Sequence, residues 1–307
     1  MGSKPGYPQF KKKGKSTDSF YVANDKLSLS KKSARLPVIG HIKLRESLRF
    51  DGKIMGATVK RVADAWFLVV QVAVDELQKP RIADGVVGVD LGITTLATLS
   101  TGEKVTGPRA LKSNLKRLKR ISRWHSRKQK GSSNRKKSAM VLARLHRRVA
   151  DIRNDGLHKL TTRLCRENKA VGIEALAVGN MVRNRKLARS INDAGWRELR
   201  RQLGYKAILY SSEVVVHDRF YPSSKMCSGC GNVKVTLGLH EREYVCDCCG
   251  LCIDRDENAA LNLKPLPRAT GEVTPVDRKA LVDRRANETG LVEAGTYTDE
   301  HLRSLER

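Results

Sequence analysis

Two cysteine pairs, Cys227-x-x-Cys230 and Cys246-x-x-Cys249, constrain this chain more than any other feature. Fifteen residues separate them, and each pair is followed by a glycine, Gly231 and Gly250. Two such knuckles can wrap one tetrahedral ion, with glycine relieving the crowding where backbone amides approach sulfur. Four thiolates leave no open coordination position, so a structural zinc site is expected rather than a catalytic one. Seven cysteines are an odd number for a disulfide framework, and six of them crowd into residues 227–252, leaving only Cys165 outside. That clustering points to metal binding in a reducing compartment. Cys248 and Cys252 read as bystanders, because pairing through Cys248 would leave a single residue between ligands. An iron–sulfur site is the weaker reading, since nothing else suggests redox chemistry.

Three acids stand in separate contexts. Val86-Val87-Gly88-Val89 runs into Asp90, and Ala170-Val171-Gly172-Ile173 runs into Glu174. Both segments read as short buried strands that end in a carboxylate. The third acid, Asp256, lies in Asp254-Arg255-Asp256-Glu257-Asn258-Ala259-Ala260, directly after the cysteines. Asp254 with Glu257 three residues on makes a helix-capping pair, which leaves Asp256 in the first turn free to face the other two. Carboxylates bind Mg²⁺, and two-metal phosphodiester cleavage needs acids that bridge and flank ions roughly 4 Å apart. Asp90 suits the bridging role, because a mid-sheet strand between Gly88 and Gly92 would hold it rigidly. The plain alternatives are a strand-end turn residue for Asp90 and a surface acid for Glu174.

The net charge of +28, from sixty Lys and Arg against thirty-two Asp and Glu, requires a polyanionic partner. Nucleic acid is the first choice, because spread positive charge releases counterions from phosphates; an anionic membrane surface is the rival. No twenty-residue apolar run and no signal-peptide core is visible, so a soluble intracellular protein is expected. Sparse aromatics argue against a carbohydrate or ligand-cage protein. Residues 111–153 hold sixteen Lys or Arg and one acid, Asp151. A charge run is usually just a solvated helix face, but sixteen to one, with no compensating i,i+4 acids, would repel itself without a polyanion, so nucleic-acid contact is expected. Lys116, Arg120, Arg127, Lys128, Lys130, Arg144, Arg147 and Arg148 are the candidate nucleic-acid contacts.

Along the chain, residues 1–17 read as a basic flexible arm and 18–83 as antiparallel strands of a partial β-barrel. Leu36 to Lys43, Ala57 to Val62 and Ala65 to Val72 are its clearest strands. Residues 84–226 read as an α/β domain. It begins with the Asp90 strand, a second strand over Thr94 to Ser100, a turn at Thr101-Gly102-Glu103 and a return at Lys104. A basic helical hairpin over 111–168 follows, turning at Gly131 to Asn134. Then come a strand at 170–176, a helix at 192–212 with Trp196, Leu199, Leu203 and Ile208 inward, and a strand at 213–217. The zinc knuckles occupy 227–250, a last helix 251–264 and a weakly ordered tail 265–307.

This order of strand-Asp90, basic hairpin, Glu174, four-cysteine ribbon and Asp-Arg-Asp-x-Asn-Ala-Ala resembles the TnpB (OrfB) family of insertion-sequence nucleases, compact relatives of type V CRISPR effectors. Further likeness lies in Arg127-Lys128-Gln129-Lys130-Gly131-Ser132, Ala143-Arg144-Leu145-His146-Arg147-Arg148, Asp193-Ala194-Gly195-Trp196 and Asp218-Arg219-Phe220-Tyr221-Pro222-Ser223-Ser224-Lys225. It covers roughly residues 30–263. The resemblance implies an RNase H-like (RuvC) nuclease domain with an inserted four-cysteine zinc ribbon, preceded by a partial β-barrel wedge domain. It places the catalytic acids at Asp90, Glu174 and Asp256, with two Mg²⁺ ions, and structural Zn²⁺ at Cys227, Cys230, Cys246 and Cys249. It implies an RNA-guided endonuclease whose transposon-end guide RNA pairs with target double-stranded DNA, in the cytoplasm with the nucleoid and away from membranes. Relatives begin with a wedge strand and a helical recognition bundle, and this chain is expected to lack that part. Two other classes remain open: a guide-directed binder that does not cut, and a transposase that joins strands.

Overall fold

The computed structural model describes residues 18–74, 79–238 and 240–265. The arm expected at 1–17 and, past Pro265, the expected tail lie outside them. The chain divides into two compact units, one of Met1–Leu77 with Arg127–Arg147 and one of Gln78–Ser126 with Arg148–Arg307.

The described residues of the first unit form six strands: β1 (Ser19–Ala23), β2 (Ser28–Ser30), β3 (Ser33–Leu36), β4 (Gly40–Lys43), β5 (Lys53–Val62) and β6 (Ala65–Ala73). They pair within two separate three-stranded sheets, β1-β5-β6 and β2-β3-β4, all antiparallel. Period-2 alternation sends Val22, Ala57 and Val59 inward against Leu27 and Leu36. The segment Leu36 to Lys43, expected as one strand, is instead the bend of the β3–β4 hairpin. Pro37 has no N–H for a ladder, Val38 takes φ +65°, and Leu36 pairs back onto Gly40.

The second unit is built on a five-stranded sheet. Its strands are β7 (Gly85–Asp90), β8 (Ala97–Leu99), β9 (Lys104–Val105), β10 (Asn168–Glu174) and β11 (Glu213–His217), ordered β11-β10-β7-β8-β9. β7, β10 and β11 run parallel; β8 returns antiparallel to β7, and β9 reverses again, so that only β8 opposes the other four strands. Between the strands lie α1 (Ala110–Ser126), α2 (Ser133–Glu167), α3 (Val178–Met181), α4 (Ala188–Ala194) and α5 (Trp196–Tyr210). Residues of α2 up to 147 group with the first unit.

The central strands alternate between two helical layers. Val87, Val89, Val171 and Ile173 face a core completed by Leu157, Leu160 and Leu164 of α2 and Trp196, Leu199 and Leu203 of α5. Truncating a fully buried leucine there, such as Leu157, would cost about 2–5 kcal/mol. The helix expected over 192–212 is two helices that meet at Gly195, whose φ of +71° breaks the α-helical run. Ile208, expected inward, is exposed, and Ala207 is buried instead. Five residues beyond Leu203 is about 140° around a helix, whereas four is nearly a full turn.

The opposite face of the sheet receives the last helix, α6 (Arg255–Asn262), which follows the ribbon strands β12 (Glu243–Val245) and β13 (Cys252–Asp254). Gly88 and Gly172, register partners on β7 and β10, make room for it. A Cβ on Gly88 would lie 1.9 Å from the Ala260 carbonyl oxygen, and one on Gly172 would lie 1.8 Å from that of Leu263. Glycine at these two positions lets the helix backbone rest directly on the sheet.

Candidate metal centres

In the ribbon, the Sγ atoms of Cys227, Cys230, Cys246 and Cys249 all lie within 4.8 Å of one another. Cys227–Cys249 and Cys230–Cys246 are each 3.6 Å apart. A tetrahedral ion with bonds near 2.3 Å needs sulfurs about 3.8 Å apart, so the four thiols fit such an ion. Gly231 and Gly250, both at positive φ, return their N–H groups to the carbonyls of Cys227 and Cys246. The N–H groups of Cys249 and Cys248 reach the Cys246 sulfur and pull its thiol down to about 6. Tyr244, fully buried, packs against Cys227 and Cys246. Cys248 and Cys252 are exposed and outside the four-thiol group.

Three elements position the acids. Asp90 is the last residue of β7 and Glu174 the last of β10. Each lies one position beyond the cross-strand pair Val89–Ile173, on the face that carries Gly88 and Gly172. Asp256 is in the first turn of the helix that covers that face. Asp254 is the N-cap, its Oδ1 accepting the N–H groups of Asp256 and Glu257 at 3.1 Å each. Its Oδ2 takes the Lys104 ammonium at 2.6 Å. Partial burial would raise the Asp254 carboxyl, but Lys104 and the two capping N–H groups hold it below the usual range.

Burial pushes the Asp90 carboxyl up to about 7, with the Glu174 and Asp256 charges adding to the effect and Arg255 opposing it. Burial also raises Glu174. Asp90 therefore senses both other acids electrostatically, although the oxygens of the three are less tightly gathered than the thiols, which form the one such set within 4.8 Å among the described residues. Asp256 Oδ1 instead lies 3.2 Å from the Arg255 guanidinium. A donor set of carboxylate oxygens alone suits a hard divalent cation such as Mg²⁺.

Asp90 predicts a pH signature in protein free of divalent cations. Unfolded, it titrates near 3.8; folded, it holds its proton to about 7. Its contribution to stability is then complete below the unfolded value and is lost as pH rises through about 7. Denaturant titrations from mildly acidic to mildly alkaline pH should record that loss, and Asp90→Asn should flatten it. Identical profiles for the two proteins would contradict the assignment.

The candidate nucleic-acid contacts are less uniform than the charge run suggests. Lys116, Arg120, Arg127, Lys130, Arg144 and Arg148 are exposed, whereas Lys128 and Arg147 are half-buried. Arg144 and Arg147 both pair with Asp64, at 2.8 and 3.1 Å, at the turn between β5 and β6. The run is thus partly compensated by an acid eighty residues from Arg144. Sequence reasoning also missed Asn258, fully buried, which donates to the Met226 carbonyl and accepts from the Ser228 N–H, tying α6 to the ribbon. The asparagine directly before Ala259-Ala260 was the available signal.

A mixed sheet with strand-end acids, covered by a helix that issues from a four-thiol ribbon, defines an α/β protein with two candidate metal centres. A family model described as "Probable transposase" (OrfB of IS605) matches residues 68–185, and one described as "Cas12f1-like, TNB domain" matches 196–263. A Streptomyces pristinaespiralis protein named "Putative RNA-guided DNA endonuclease" is 44% identical over 84% of this chain and 64% of its own length. A Mycobacterium tuberculosis protein named "Putative RNA-guided DNA endonuclease MT2953" is 36% identical over 96% of this chain and 68% of its own. A Cas12f1–sgRNA–target DNA complex aligns with TM-score 0.49 and 18% identity, covering 69% of this chain and 45% of that one. The chain belongs to the OrfB (TnpB) family of insertion-sequence proteins. It spans about two thirds of the length of the curated relatives it matches.

Proposed function

We propose that this protein is an RNA-guided DNA endonuclease that hydrolyses target phosphodiesters with a RuvC-like site formed by Asp90, Glu174 and Asp256. The observation that carries the reading is the placement of these three acids on one side of a sheet, two at adjacent parallel strand ends and one on the covering helix, with the Glu174 and Asp256 charges helping to raise the Asp90 carboxyl. The sheet order, with the Asp90 strand central, a β7-β8-β9 antiparallel meander on one side and two parallel strands on the other, supports an RNase H-like assignment. The names of the relatives support RNA guidance and DNA as the target. Guide RNA from a transposon end and target duplex are the proposed partners, and the strands of the first unit are a proposed partial wedge domain. No helix among the described residues is long and apolar enough to cross a membrane.

Asp90, Glu174 and Asp256 would hold two Mg²⁺ ions, which when bound activate water and stabilise the leaving 3′ oxygen. The protein's own contribution is rigidity and dryness. Asp90 is fixed by pairing with Thr98 of β8, one position beyond the Val89–Ile173 pair to β10. The exposed cations at Lys116, Arg120, Arg127, Lys130 and Arg148 would take phosphates, fixing register without reading bases. Base pairing to the guide would supply sequence specificity. Incubating the chain, purified with its RNA, with labelled duplex and Mg²⁺ tests the reading. Hydrolysed product matching the RNA supports it; guide-dependent binding without product, or joined strands, would replace it with a binder or a transposase.

The four cysteines would hold Zn²⁺ in a structural role. The ribbon leads directly into Asp254 and is tied to α6 through Asn258 and Asn262. Cys227→Ser should therefore lower bound zinc, unfold the ribbon and reduce cleavage by roughly 10–100-fold, within the range for loss of groups that orient a site. Zinc content by mass spectrometry beside the cleavage rate checks this, and full activity without zinc would contradict it.

A further inference from the structure

We infer that Lys104 is a positioning residue for Asp256, acting through Asp254; the inference rests on the nuclease reading above. Lys104 opens β9, the edge strand two places from β7. Its ammonium lies 2.6 Å from Asp254 Oδ2, while Asp254 Oδ1 caps α6 through the N–H groups of Asp256 and Glu257. Asp254 thus divides its two oxygens between the sheet and the helix turn that carries Asp256.

The far end of α6 is held separately. Its backbone rests on Gly88 and Gly172, and His217 Nε2 and the Tyr221 hydroxyl lie 2.9 and 3.1 Å from the carbonyl oxygens of Leu263 and Asn262. A helix fixed at one end pivots. Six residues at 1.5 Å rise place Asp256 about 9 Å from Asn262, so a 10° swing moves it by roughly 1.6 Å. Asn258 steadies the near end against the ribbon. The Lys104–Asp254 pair joins that end to the sheet that carries Asp90 and Glu174. The hairpin bearing Lys104 is itself anchored, because Glu103 pairs with Arg163 of α2 at 2.8 Å.

Lys104 is also a positive charge beside an acidic cluster, and this gives the test a sign. If it acted only through its field, its removal would tighten cation binding. If it positions Asp256, removal weakens it. Mn²⁺ titration of the full chain, followed by electron paramagnetic resonance, reads the sign without relying on turnover. Lys104→Met should raise the Mn²⁺ dissociation constant about tenfold, the low end for groups that orient metal ligands, with little change in thermal midpoint. Lys104→Arg should restore it. Lys104→Met combined with Asp254→Ala should be no weaker than Asp254→Ala alone, as expected of residues acting in one chain of contacts. Unchanged or tighter Mn²⁺ binding in Lys104→Met, or fully additive losses in the double variant, overturns the inference alone. Mn²⁺ binding that is indifferent to Asp90→Ala overturns the nuclease reading and this inference with it.

Discussion

In Asp90→Ala protein, cleavage of a guide-matched duplex is expected to fall at least about 10³-fold, because a site that loses its central ligand forfeits several kcal/mol of charge stabilisation. Binding of RNA and duplex should stay within about threefold, since Asp90 is remote in kind from the cationic surface that would carry phosphate contacts. The folded protein should not suffer. Asp90 is desolvated beside Glu174 and Asp256, and burial with like charges already holds its carboxyl near 7. Removing it relieves that repulsion, so stability in slightly alkaline, Mg²⁺-free buffer should hold or rise. A residue whose loss abolishes reaction while stabilising the fold marks a site where function outweighs stability. If Asp90→Ala lost cleavage only in proportion to a lowered thermal midpoint, the residue would be structural.

Gly172→Ala should be nearly as damaging by a different route. The added methyl would lie 1.8 Å from the Leu263 carbonyl oxygen and 2.9 Å from the Pro265 ring. Neither neighbour is a flexible side-chain end, so α6 must lift from the sheet. Overpacking of this kind costs about 1–3 kcal/mol, or roughly 2–12 °C in thermal midpoint for a unit of this size. The lifted helix carries Asp256 with it, so cleavage should fall by about 10²-fold or more, the scale of an ångström misplacement. Gly179→Ala is the control, because nothing lies within 4 Å of a Cβ there. Equal behaviour of the two variants would mean that the helix does not rest on Gly172. Calorimetry and single-turnover cleavage on both proteins settle the comparison.

Features set by local chemistry were readable from the chain alone. Parallel strands buried on both faces read as continuous apolar runs, which is why Val86 to Val89 and Ala170 to Ile173 stood out, with Asp90 and Glu174 at their ends. Cysteine spacing marked the ribbon, and Asp254 followed by Glu257 marked a helix start that the cap hydrogen bonds bear out. Features set across space were not readable. Asp64 meets Arg144 and Arg147 from a distant turn, and so the basic run looked less compensated than it is. Asp193 caps α1 by accepting the N–H groups of Leu111 and Lys112, eighty-odd residues before it. Lys206 reads as a surface cation of a helix, yet it is buried. Its three donors are taken by the His158 carbonyl and the hydroxyls of Thr161 and Thr162. Periodicity also overran local breaks, carrying one expected strand through Pro37 and one expected helix through Gly195. In both places a single backbone conformation outweighs the apolar pattern around it.

The most direct test is anomalous scattering from crystals grown with Mn²⁺. Ions are expected on the α6 side of the sheet, bound by carboxylate oxygens of residues 90, 174 and 256 together. Ions bound elsewhere, with these three side chains left unligated at saturating Mn²⁺, would contradict that placement.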